Sequence, residues 1–145
     1  MVGLTVGPDG EPVVVIQTCE GYVDGVHLST SAEDGQKSRR TGAWAHERRL
    51  KGSISFSLTR PAEGWLATMA PEALGEGGYA LAAAGSGNAS WGSRPVSFTA
   101  ADLAALRPGQ VRYSGYTDSA PPAPMSAVAT LEDFQANICK TLETG

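Results

Sequence analysis

The chain has 145 residues, 41% hydrophobic and only 18% charged, with 18 Gly, 9 Pro and a net charge of −4 at neutral pH. That length fits one domain. No apolar run approaches the ~18 residues of a membrane-spanning helix, which excludes insertion by helices, and low charge with abundant turn formers favours many short strands.

The opening "MVGLTVGPDGEP" lacks the basic start and apolar stretch of a signal peptide, so a cytoplasmic protein is expected. If residues precede this Met, secretion or cell-surface display stays open. Val2–Val6 reads as a first edge strand. Gly7–Pro12 is a turn, because Pro8 presets φ and Gly10 accepts positive φ. Val13–Thr18 is a nearly continuous β-branched run, the mark of a buried strand, and Cys19–Gly21 breaks it. Tyr22–Thr30 alternates, with Val26 and Leu28 on one face and His27 and Ser29 on the other.

Residues 31–43 are polar without periodicity and read as a long loop. Ala45–Leu58 ends in "SISFSL", where Ile54, Phe56 and Leu58 share a face. Trp65–Met69 follows the turn "RPAEG" as a short strand, and residues 70–78 form a loop with one helical turn at most. Tyr79–Ala84 and Pro95–Thr99 are further strands. Thr99 caps a short helix to Leu106, with Asp102 three residues on as its reciprocal partner. Pro108 and Gly109 stop that helix, and Gln110–Tyr116 is the last strand. A Pro/Ala-rich linker spans 118–129, and Thr130 caps a final helix over 130–145. Its Leu131, Phe134, Ile138 and Leu142 recur at spacings of three and four. The resulting fold is an all-β antiparallel sandwich over 1–117, with one short internal helix and a C-terminal amphipathic helix.

Two stretches carry a resemblance. "LRPGQVRY", Leu106 to Tyr113, resembles the Leu-x-Pro-Gly-x-x-Tyr stretch of fibronectin type III domains, which implies an Ig-like or fibronectin-like sandwich. Tyr113 comes one residue later than in that motif, which turns its side chain to the opposite face. "DGEPVVVIQTCEGYVDGVHL" and "FTAADLAALRPGQV" resemble uncharacterised actinobacterial proteins over most of 1–117, which implies a fold class and no catalytic role.

Cys19 and Cys139 match neither a metal-site spacing nor a Cys-x-x-Cys pair. A long-range disulfide and two free thiols both stay open. A bridge would pin the final helix to an early strand. Only His27 and His46 are available as imidazoles, so no metal site is expected. Asp9, Glu11, Glu20 and Asp24 offer a set of oxygens for Ca²⁺, but acids in such turns ordinarily serve solubility. No cofactor is expected.

"AAAGSGNASWGS", Ala82 to Ser93, mimics a phosphate loop, a nucleophile elbow around Ser90 and a glycosylation acceptor at Asn88. The first two need a following helix, whereas Pro95 opens a strand. A connecting hairpin loop with Trp91 at its tip is the expectation.

Residues 37–51 hold six of the eleven Lys and Arg against one acid, a local charge of +5 in an acidic chain. Arg39, Arg40, Arg48 and Arg49 interleave there with Trp44 and His46. With Trp91 they are the candidate binding residues. Cations beside aromatics suit a carbohydrate or polyanion; on an edge strand they also deter aggregation. The expected function is a non-enzymatic interaction or structural module that meets another protein or a surface polymer through loops 31–46 and 85–94. Carbohydrate or polyanion binding through Trp44, Trp91 and the basic window is the alternative, and a serine hydrolase is third. Nucleic acid is disfavoured by the acidic remainder of the chain.

Overall fold

The computed structural model describes residues 1–19, 21–31, 37–85, 95–116 and 124–143. Within them, sheet A holds β1 (Val2–Val6), β2 (Pro12–Gln17), β5 (Ser53–Ser57), β9 (Gln110–Tyr116) and β10 (Pro124–Thr130), in the order β10-β9-β1-β2-β5. Sheet B holds β3 (Val23–Thr30), β4 (Arg40–Leu50), β6 (Trp65–Met69), β7 (Gly78–Ala84) and β8 (Val96–Thr99), in the order β6-β4-β3-β7-β8. The pairings are antiparallel. Two helices, α1 (Ala100–Ala105) and α2 (Leu131–Glu143), complete an all-β sandwich.

Period-two alternation builds the core between the sheets. Leu4, Val14, Ile16 and Phe56 from sheet A meet Val26, Leu28, Trp44, Trp65 and Leu81 from sheet B. The opposite face of sheet A is also dry. Val15 and Val111 pack there with Met1 under Phe134 and Ile138 of α2. Burial on both faces accounts for the continuous β-branched run of β2. It also requires Gly3, since a Cβ there would lie 2.4 Å from Val111 Cγ1.

Four expectations are corrected. First, β1 is no edge strand: it pairs with both β2 and β9, and all five of its residues are buried. Second, the loop expected over 31–43 yields to β4 from Arg40, where Ser29 pairs with Arg40 and Leu28 with Gly42. Third, Ala45–Leu58 is not one strand. Gly52, at φ +91°, reverses the chain, so β4 lies in sheet B and β5 in sheet A. Thr18 holds that turn, its Oγ1 accepting from the Gly52 N–H at 2.6 Å. Fourth, part of the expected linker is β10, paired with β9 from Pro124↔Tyr116 to Thr130↔Gln110, so β9 is not the last strand. The expected helical turn in 70–78 is absent as well.

Both helix caps form as read. Thr99 Oγ1 accepts from the Asp102 N–H at 3.1 Å, and Asp102 Oδ2 accepts from the Thr99 N–H at 2.9 Å. Thr130 Oγ1 accepts from the Asp133 N–H at 3.1 Å. A disulfide joins Cys19, just past β2, to Cys139 of α2 across 120 residues. Its loop length gives a chain-entropy stabilisation of about 4–5 kcal/mol, an upper figure because native strain subtracts from it.

Candidate functional site

The basic window lies along β4 and its flanks. β4 is bulged, with Arg40 opposite Ser29 and Leu50 opposite Val23, so at about 3.3 Å per residue of β3 Arg40 and Arg49 stand roughly 20 Å apart rather than in one patch. Arg39 pairs with Glu72 across 2.5 Å, both side chains more than half exposed. Such a surface pair contributes little to stability. At the other end the Arg49 guanidinium lies 4.6 Å from the centre of the Tyr22 ring, in cation–π geometry.

Trp44 does not face a ligand. It is 2% exposed, its Nε1 donates to the Leu58 carbonyl at 3.1 Å, and its ring tilts against Phe56. Alternation puts it in the sandwich core, which overturns its assignment as a sugar-stacking residue. Sequence alone places a tryptophan beside arginines equally well inside or outside. Trp91 and Ser90 lie outside the described residues, as does Glu20 of the proposed oxygen set. β7 and β8, which flank residues 86–94 in the chain, pair from Gly78↔Thr99 to Leu81↔Val96. Glu11 turns inward on its own loop and accepts from the Asp9 N–H. Among the described residues, no three His, Cys, Asp or Glu side chains gather as a metal site would need.

His46 closes an aromatic ladder. Its ring meets Trp65 edge-on at 5.3 Å, and Trp65 stacks on Phe56 at 4.3 Å. Its Nδ1 accepts from the Arg48 N–H at 2.9 Å, and its Nε2 lies 2.9 Å from the Glu63 carbonyl. A neutral ring protonated on Nε2 satisfies both bonds. The Glu63 carbonyl is aimed by a left-handed pair, Glu63 at φ +55° and Gly64 at φ +92°. A Cβ on Gly64 would sit 2.4 Å from His46 Nε2. These residues, with Glu47, Arg48 and Leu50, line a depression of about 410 Å³. Both imidazole nitrogens are taken by backbone groups, so His46 serves as a brace and has no free nitrogen for a metal or a proton relay.

The two outer faces differ. That of sheet A is roofed by α2. That of sheet B carries small side chains that alternate with the core residues: Ala43 and Ala45 on β4, Gly25 on β3, and Ala80 and Ala84 on β7. His27 stands at its centre, paired with Ala43 on one side and Ala82 on the other. Burial, and next the Arg40 charge, lower its pKa below the ordinary 6.5. On the edge strand β6, Leu66 is 64% and Met69 44% exposed. Their registers, Ala45↔Leu66 and Ala43↔Met69, bring both beside the outward alanines. Sequence reasoning passed over this face because alanines read as filler. The usable signal was in "GYALAAA", where the two large residues, Tyr79 and Leu81, both face the core and the positions between and beside them are Gly or Ala.

The fold and these surfaces define a two-sheet antiparallel sandwich with one face covered by a helix and one that the described residues leave open. Compared with known protein families, curated proteins and solved structures, the chain matches none. No helix among the described residues is long and apolar enough to cross a membrane.

Proposed function

We propose that the protein is a non-enzymatic interaction module whose contact surface is the open face of sheet B and its edge, β6. The observation that carries this reading is Leu66 and Met69 projecting from an edge strand beside a flat, small-residue sheet face. Large exposed apolar side chains beside a contiguous weakly polar surface mark contact sites on soluble domains. Small residues let a partner's backbone come close, and an edge strand offers free backbone N–H and C=O groups for strand addition. The partner suited to this surface is another protein with an extended segment. The disulfide fits an oxidising compartment better than the cytoplasm.

Immobilised protein carrying Leu66→Asp and Met69→Asp tests the reading against wild type, in extracts of the native cells. Proteins retained by wild type are expected to be lost from the double variant, with the thermal midpoint unchanged. Equal retention by both would remove this surface from consideration. Charge reversal at Glu132 should leave retention intact, because it lies on α2, on the far side of the sandwich.

A further inference from the structure

We propose that the Cys19–Cys139 disulfide is a reducible latch: thiol–disulfide exchange releases the C-terminal half of α2 from sheet A, while the sandwich stays folded. This stands apart from the reading of sheet B and does not rest on it.

The apolar interior is divided in two. Among the described residues, the cluster between the sheets contains none from α2. The cluster beneath α2 is small, and the helix supplies it with two buried side chains, Phe134 and Ile138, flanked by the partly buried Leu131 and Cys139. Separate clusters of unequal size open separately, the smaller one first. A 13-residue helix is marginal without tertiary support, so its docking depends on those contacts and on the bridge. The start of α2 is anchored independently of the bridge. Thr130 caps it, the Leu131 N–H donates to the Gly109 carbonyl at 2.8 Å, and β10 ties it to β9. In its later turns, Ile138 and Cys139 are the described side chains that pack on the cluster beneath it.

The bond can also be reached, since Cys19 and Cys139 are each only partly buried. A dithiol reductant supplies the two electrons. One of its thiolates attacks a cysteine sulfur, the S–S bond breaks, and a mixed disulfide forms. The second thiolate then closes the reductant's own disulfide and leaves two cysteine thiols on the protein. Release of the helix end withdraws Ile138 from that cluster and exposes apolar surface that the oxidised protein hides.

Amide exchange of the full chain with and without dithiothreitol, read by mass spectrometry, tests the latch. Complete reduction is verified by alkylation of both thiols. Exchange across 135–139 is expected to quicken about 10-fold or more, with β1, β2, β3 and β7 unchanged. In a Trp91→Phe background, tryptophan emission should also hold its position, because Trp44 and Trp65 sit in the other cluster. Unchanged exchange in α2 after complete reduction would overturn the proposal. Loss of protection throughout both sheets would overturn it too, by showing a staple of the whole fold. Cys139→Ser repeats the comparison without reductant, and a variant that fails to fold counts with that second outcome.

Discussion

Arg112 of β9 joins the two sheets through Asp102. Its Nη2 lies 3.5 Å from Asp102 Oδ2, the atom that also caps α1, and its Nε donates to the Ser97 carbonyl of β8 at 2.8 Å. One guanidinium therefore ties an interior strand of sheet A to the β8 edge of sheet B and to the helix between them. Ser114, two residues on, closes the same seam by donating to the Pro95 carbonyl. Edge β8 is covered in this way, whereas among the described residues nothing of this kind covers edge β6.

Arg112→Ala should lower stability by about 1–2 kcal/mol, since the Ser97 carbonyl and Asp102 each lose a charged donor while partial solvent access limits the loss. Arg112→Lys should recover less than half, because an ammonium cannot span both acceptors. Urea midpoints at constant slope measure both. A midpoint unchanged by Arg112→Ala would mean that the seam contributes nothing.

Two glycines separate the covered face from the open one. Gly3→Ala should cost about 1–3 kcal/mol, because its Cβ would drive into Val111 beneath α2. At Gly25 an added Cβ meets only backbone oxygens, at 3.8 and 3.9 Å. Gly25→Ala should therefore be neutral or stabilise by a few tenths up to about 1 kcal/mol. Equal destabilisation by the two, in thermal or urea unfolding, would contradict the difference between the faces.

Much of this was legible in the chain because it is local. The strand Trp65–Met69, the caps at Thr99 and Thr130 and the stripe through Phe134 and Ile138 depend on neighbours a few residues away. Three features were not legible, each for a tertiary reason. Arg40–Gly42 becomes strand because β3 needs a partner on that side, although its own residues show no alternation. Pro124–Thr130 pairs with β9 although Pro, Ala and Ser read as linker. Trp44 turned out to be core because strand parity, not the arginines around it, sets its direction. The disulfide was one of two readings left open, and only the approach of α2 to the end of β2 decides it.

His27 should give stability a pH dependence. Burial and Arg40 lower its folded pKa, while the unfolded chain takes up the proton near the ordinary 6.5. Protonation thus favours the unfolded state. Its contribution is full above pH 6.5 and is lost as pH falls from there through the folded value. His27→Gln should flatten the profile just below pH 6.5 and leave it unchanged above. An identical slope in both proteins, from urea midpoints at closely spaced pH, would mean that His27 is not the group responsible.

A photoreactive benzoylphenylalanine placed at Ala45, on the outer face of sheet B, reports directly on what that face touches. Val15, beneath α2, is a buried position that would not tolerate the probe, so Ser55 on the outer strand of sheet A is the control. Irradiation in the native cells should give a discrete protein adduct from position 45 and none from position 55. Adding Leu66→Asp and Met69→Asp should abolish that adduct. No adduct at 45, or the same adducts from both positions, would contradict the assignment of sheet B as the contact surface.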